Sequence, residues 1–326
     1  LPEDFGVATA DKGKLKNQNP DDDPGARKKD SEGNILESIE VSVPFPSKTD
    51  ADNFNYARTL PGNRPFLFRA ESCYRYRTEV VSEICVLKNM IDIIDDAPCD
   101  PSESKSVFSS ASPVGVTAFR QNVVGKDKIQ FSFDIVHSGS GDVFVIDPNL
   151  DNVRIHILNA LIELNKAPPD TTAANEQAGK ALGILDEITT PSEDITYVKD
   201  RLTSINEQKL GEAIAKLDGV IVDCPKDASV RRAKEDKVRV TINTGIDDDD
   251  PNVAPNIELI CVGLGKSEDG KGVVSGLANL VNGKRTVTCT QTFSTTRPDF
   301  IQPTDITLDF NYLNSIDKNV LVKHLG

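Results

Sequence analysis

The sequence predicts a mainly β fold: two Ig-like antiparallel β-sandwich units, a helical insertion between them and an extended N-terminal arm. Three observations carry this expectation. Runs of Val, Ile, Thr and aromatic residues alternate with polar ones in two long stretches, which flank a segment rich in Ala, Leu, Glu, Lys and Gln. Clusters of Gly, Pro, Asn and Asp punctuate the alternating runs as turns. Six cysteines, an even number, lie in or beside those stretches. The boundaries that follow are an arm over 1–33, a first sandwich over 34–150, a helical insertion over 151–222 and a second sandwich over 223–326.

The arm is polar, with Asp21-Asp22-Asp23-Pro24-Gly25 at its centre, and has too little apolar surface to form a core of its own. Behind it, Ile35, Ile39, Val41, Val43 and Phe45 fall on one face, interrupted by Glu37, while Ser38, Glu40 and Ser42 fall on the other. Together with Leu36 these apolar residues make a candidate assembly strand. From Arg64 to Leu87 the pattern is strongly β. Tyr74, Tyr76, Thr78, Val80, Ser82 and Ile84 share one face, and Cys73, Arg75, Arg77, Glu79, Val81, Glu83 and Cys85 share the other.

Cys73 and Cys85 cannot pair within one strand. Twelve residues at about 3.3 Å each separate them by roughly 40 Å, against a limit of about 7 Å between bridged Cα atoms. No Gly, Pro or Asn lies between them to turn a hairpin, so Cys85 is expected to join Cys99 across the following loop. Further strands are expected over 114–124, 129–137 and 143–147, linked as an antiparallel meander by Gly125-Lys126-Asp127 and Ser138-Gly139-Ser140-Gly141.

The pattern changes near residue 152. Residues 152–165 are apolar and suit either a helix or a strand, stopped by Pro168 and Pro169. Residues 173–219 are helical in character, and Pro191 before Ser192-Glu193-Asp194 reads as a helix entry with acids in the first turn. This excursion is expected to be either a packed layer of the fold or a projecting partner surface. Strands return over 237–244, 256–263, 285–293, 306–313 and 316–324. Cys261 and Cys289 sit on two of them, in the manner of an Ig-type inter-sheet bridge, though no Trp is present to pack on it. Cys224 is left for Cys73 by elimination, which would tie the two β units together.

The chemistry expected is sparse. Three His residues, and cysteines in no CxxC spacing, supply a zinc or haem site poorly. There is no GxSxG, HExxH or phosphate-binding loop, so the chain is read as not an enzyme. Asp247, Asp248, Asp249 and Asp250 form an oxygen-rich loop of the kind that holds Ca2+, with a solvated acidic loop as the alternative; Asp21–Asp23 are similar. Tyr74 and Tyr76 are either a binding stripe or a core face. The net charge of −14, from 37 basic and 51 acidic residues, argues against nucleic acid as a partner. No apolar run is long enough to span a membrane.

The run Cys73-Tyr74-Arg75-Tyr76-Arg77-Thr78-Glu79 through Ile84-Cys85-Val86, followed by Cys99, resembles the secreted or membrane-anchored, Cys-containing Ig-like (CARDB-like) surface proteins of small-genomed, DPANN-type archaea. Ser112-Pro113-Val114-Gly115-Val116-Thr117 and the strand pair Phe131–Val136 and Ser138–Val143 continue that likeness. Ile306–Tyr312 through Ser315 and Lys318 is similar to the last hairpin of that type, and His137 stands where the pattern usually has Asn. The resemblance covers about residues 64–145 and 220–325, and it implies a surface location and the fold class more than an activity.

Paired cysteines point to an oxidising compartment. The start at Leu1, with Met90 the single Met, leads us to expect a removed signal peptide, with an internal proteolytic start as the alternative. The absence of any Asn-x-Ser/Thr acceptor runs mildly the other way. The expected function is a self-assembling extracellular subunit of a filament, sheath or surface layer, whose partners are copies of itself. The alternatives are a monomeric cell-surface binding module and, more remotely, a secreted hydrolase with calcium-stabilised loops.

Overall fold

The computed structural model describes residues 62–92, 97–188, 192–246, 259–264, 268–269, 272–293 and 298–322. In chain order the strands are β1 (Arg64–Val86), β2 (Phe108–Ser109), β3 (Val114–Gly125), β4 (Lys128–His137) and β5 (Asp142–Phe144). Helices α1 (Pro148–Leu164), α2 (Thr171–Asp186), α3 (Glu193–Leu202), α4 (Glu207–Ile221) and α5 (Ala228–Lys234) follow. The strands then resume as β6 (Lys237–Asn243), β7 (Leu259–Val262), β8 (Glu268–Asp269), β9 (Val273–Asn279), β10 (Lys284–Thr292) and β11 (Phe300–Val322).

Contacts divide the chain into two compact units: residues 1–69 with 317–326, and residues 70–316. In the first, the described residues belong to the beginning of β1 and the end of β11, where Arg69 and Asp317 form a two-pronged ion pair of 2.7 and 2.9 Å.

The mainly β, antiparallel class with helices in mid-chain is the one the sequence predicts. The division of the strands is different. One sheet runs β2-β1-β11-β6-β9-β8, with β5 also on β11, and the other runs β3-β4-β10-β7. Each sheet therefore takes strands from both halves of the chain, and two separate sandwich units are replaced by one sandwich. Val80 and Ile84 of β1, Phe131 and Phe133 of β4, Val287 of β10 and Leu308 and Phe310 of β11 all enter a single core. The physical reason is that a meander such as β3-β4 has unpaired outer N–H and C=O groups, and distant strands satisfy them as well as neighbours do. Burial of each such side chain stabilises the fold by about 1.5–3 kcal/mol.

Three local findings also differ from expectation. β11 is one strand where the pattern predicts two, over 306–313 and 316–324, and the resemblance a hairpin; Asn314-Ser315 has turn-prone residues but no Gly or Pro, and the backbone stays extended through them. β9 was not expected, because its inward residues Val274, Gly276 and Ala278 are mostly small and carry little apolar signal. Helical structure extends beyond 151–222 at both ends, through α1 from Pro148 and α5 to Lys234.

Both sides of the sandwich are bridged at a few points, which shortens the free sheet edge there. On one side the segment before β3 pairs twice. Ser104 bridges Arg120 of β3, and Phe108 pairs with Val81 of β1. Ala118, at φ 56°, sits in the β-bulge that permits the first contact. On the other side Leu264, just after β7, bridges Ala278 of β9.

The helices form a second layer with its own core. Residues 152–165 resolve as helix α1, begun by Asp147, whose side chain accepts from Asn149 N, with Pro148 in the first turn. Ser192 caps α3 by accepting from Ile195 N, with Glu193 and Asp194 in the first turn, as the sequence predicts. Val153, Ile157, Ala178, Leu185, Val198, Leu210 and Leu217 interlock in an apolar cluster separate from that of the sandwich. Small alanines on α2 (Ala174, Ala178, Ala181) permit close helix packing.

Candidate functional site

The most elaborate side-chain constellation lies where the helical layer meets the outer face of β1 and β11. Strand alternation sets it up. Along β1, Thr78, Val80, Ser82 and Ile84 turn into the sandwich core, so Cys73, Arg75 and Arg77 face the other way. Along β11, Leu308, Phe310 and Tyr312 enter the core, and Asp309 and Asn311 face outward yet are only 5% and 1% exposed. The helices cover them.

Asp309 accepts from Arg77 Nε at 2.8 Å and Nη2 at 3.1 Å, and from Arg75 Nη2 at 3.4 Å. Arg75 Nη1 reaches Asp151 of α1 at 2.9 Å. The fork geometry suits guanidinium to carboxylate. The hydrogen bond to Asp309 raises the Arg77 pKa, outweighing the opposing effect of its burial. Asn311 Nδ2 donates to Ile221 O at 2.8 Å, a carbonyl that α4 leaves open at its end, and to Asp223 O at 3.3 Å just beyond the helix. One residue on, Cys224 bridges to Cys73. Chemically this arrangement is a clamp: charge, amide and disulfide together hold the helical layer to the sheet.

A second feature is an open groove of about 500 Å3 lined by Arg232, Glu235, Asp236, Lys237 and Asn279 through Asn282. Asp236 and Asn282 have left-handed backbones, at φ 56° and 53°. Fold geometry accounts for both. Asp236 follows the C-cap of α5, and Asn282-Gly283 is the two-residue turn between Val281 and Lys284. Burial raises the Asp236 pKa, repulsion from Glu235 adds to it, and His137 partly offsets them.

The structure pairs all six cysteines as the sequence reading paired them: Cys73–Cys224, Cys85–Cys99 and Cys261–Cys289. Two of the bridges play different roles from those expected. Cys261 and Cys289 are partners on neighbouring strands of one sheet, so that bridge is intra-sheet rather than inter-sheet. Cys73–Cys224 joins β1 to the exit of the helical layer rather than one β unit to another. Tyr74 and Tyr76 belong to the core face, where Tyr76 stacks on Phe310 at 5.6 Å and Tyr74 meets Tyr312 edge-on at 5.8 Å.

The candidate strand Ile35, Leu36, Ile39, Val41, Val43 and Phe45 lies outside the described residues, as do Asp21–Asp23 and Asp247–Asp250. Among the described residues, no group of three or more His, Cys, Asp or Glu is placed to hold a metal ion. His156 Nδ1 pairs with Gln177 at 2.8 Å, and His137 lies edge-on to Tyr312 at 6.0 Å. Among the described residues, no helix is long and apolar enough to cross a membrane.

Sequence reasoning missed the Arg75–Asp309–Asp151 cluster. Its one legible trace is a charged Asp309 and an Asn311 set within the apolar run Leu308–Leu313, which signals a strand covered on both faces. Neither known protein families, nor curated proteins, nor solved structures include a match to this chain.

Proposed function

We propose that this protein is an extracellular structural subunit that assembles with copies of itself into a filament, sheath or surface layer. The observation that carries the reading is the covalent framework. Two disulfides brace the sandwich and a third ties the helical layer to it, closing 14, 28 and 151 residues, a pattern suited to an oxidising environment and to mechanical and proteolytic wear. The likeness of the Cys73–Val86 strand to archaeal surface proteins supports the same location. In this reading the Ile35–Phe45 segment adds as a strand to a neighbouring subunit, where main-chain hydrogen bonds supply affinity and the alternating Ile and Val residues supply register.

The test is removal of residues 1–45. Loss of polymers, with the disulfide-linked sandwich still folded by circular dichroism, is the expected result. Polymers identical to those of the full chain would overturn the strand-addition mechanism. A second reading, a monomeric cell-surface binding module, draws on the helical layer, whose separate core and clamped base suit it to present a recognition surface. Assembly that survives replacement of exposed residues on α1–α4 favours the first reading. Loss of cell or ligand attachment with no effect on assembly favours the second.

A further inference from the structure

We propose that the Cys73–Cys224 disulfide is a releasable latch that fixes the exit of the helical layer, residues 222–234, and that a small dithiol opens it while the other two bridges stay closed. Two observations carry this. The first is differential burial. Cys85 and Cys289 are fully buried and Cys261 is 8% exposed, each within the sandwich core, and Cys99 is half-buried but packs against that core and is bonded to the fully buried Cys85. Cys73–Cys224 is the one bridge with both ends half-buried, and neither end belongs to an apolar cluster. Thiol–disulfide exchange requires a thiolate to reach a sulfur, so the accessible bridge reacts first.

The second observation is how little else holds the segment. α5 buries no residue, and Val230 on it is 42% exposed. Beyond Pro225, which is buried, the segment is tied to the rest by a few contacts: Asn311 Nδ2 on Asp223 O at 3.3 Å, Val145 N on Lys234 O at 2.9 Å, Arg231 to Asp142 at 2.8 Å and over the Phe144 ring at 5.3 Å, and Lys226 to Glu71 at 2.9 Å. Partly exposed ion pairs of this kind contribute little each. The bridge is therefore the one covalent restraint on a stretch that buries little and is otherwise held by few contacts. The bundle itself stays in place through its own core and the Arg75–Asp151 pair.

The step balances without further reagents. A thiolate of the dithiol attacks one sulfur of the bridge, forming a mixed disulfide and releasing the other cysteine as a thiolate. The second thiol of the reagent then displaces the remaining protein sulfur. Two electrons pass to the protein, both cysteines end as thiols, and the reagent leaves as its cyclic disulfide.

The experiment exposes the folded full chain to graded dithiothreitol, alkylates new thiols, and reads labelled peptides and amide hydrogen exchange by mass spectrometry. Cys73 and Cys224 should label together at least about tenfold faster than the other four cysteines, and exchange should rise over 222–234 while the sandwich strands stay protected. The double variant Cys73→Ser, Cys224→Ser should show that exchange pattern without reductant. Simultaneous labelling of all six cysteines, earlier labelling of another pair, or selective labelling with unchanged exchange over 222–234 would each overturn the proposal. So would a double variant that loses protection throughout the sandwich.

Discussion

Cys261 and Cys289 stand directly opposite each other on the adjacent strands β7 and β10, with Cα atoms 4.0 Å apart. Directly opposed residues come this close only at non-hydrogen-bonded positions of an antiparallel pair. The bridge therefore welds a four-residue strand to its neighbour rather than one sheet to the other. Closing a loop of 28 residues removes about 3.6 kcal/mol of chain entropy from the unfolded state. Replacing both cysteines by serine should lower stability by roughly 3 kcal/mol in urea titration, with the far-ultraviolet spectrum unchanged.

Asp309 is the centre of the clamp between sheet and helices. Asp309→Ala leaves Arg75 and Arg77 without their shared carboxylate and should cost about 3 kcal/mol, the usual consequence of breaking a buried pair from one side. Arg77→Ala should cost clearly less, because the Arg77 side chain is 53% exposed and can be hydrated. Equal losses in thermal or urea unfolding would contradict this account of the clamp.

Tyr312 closes the end of the sandwich by accepting a hydrogen bond from Gly141 N at 2.7 Å. A Cβ at residue 141 would lie 2.3 Å from Leu313 O and 2.7 Å from the Tyr312 ring. Gly141→Ala should therefore destabilise by about 1–3 kcal/mol through forced displacement of backbone. Tyr312→Phe, which loses the one hydrogen bond and keeps the packing, should cost about 1 kcal/mol. A calorimetric ranking in the opposite order would count against the contact.

Two aspartates give the pH dependence opposite signs. Hydrogen bonds from Lys284 and Thr286 lower the Asp134 pKa. Its contribution is complete above the ordinary carboxylate range and is lost as the pH falls through the lowered value. Burial raises the Asp236 pKa, so its contribution is complete below its unfolded pKa and is lost as the pH rises through the raised one. Asp236→Asn, which keeps a residue tolerant of the left-handed backbone, should raise the melting temperature at neutral pH and confer no gain near pH 3, below the ordinary Asp pKa of about 3.9. A variant less stable than the parent at neutral pH would refute the assigned penalty.

Much of the fold was legible where local rules decide. The alternation through Tyr74–Ile84, the cap at Ser192 and the impossibility of pairing Cys73 with Cys85 all follow from neighbours in sequence. What escaped was long-range. Nothing local in β4 shows that its second partner, opposite β3, is β10 rather than another strand of the same half, because one polar outer edge resembles another. Gly276 and Ala278 hid β9, since small residues pack a core without an apolar signature. The clamp was half-legible: Asp309 betrays a covered outer face, but only the tertiary fold brings Arg75 and Asp151 to it.

The most direct test of the central claim is negative-stain electron microscopy of the purified full chain in a non-reducing buffer, at rising protein concentration, with and without added Ca2+. Regular filaments, tubes or sheets are the predicted result. Dispersed single particles at every concentration, with or without the cation, would contradict self-assembly.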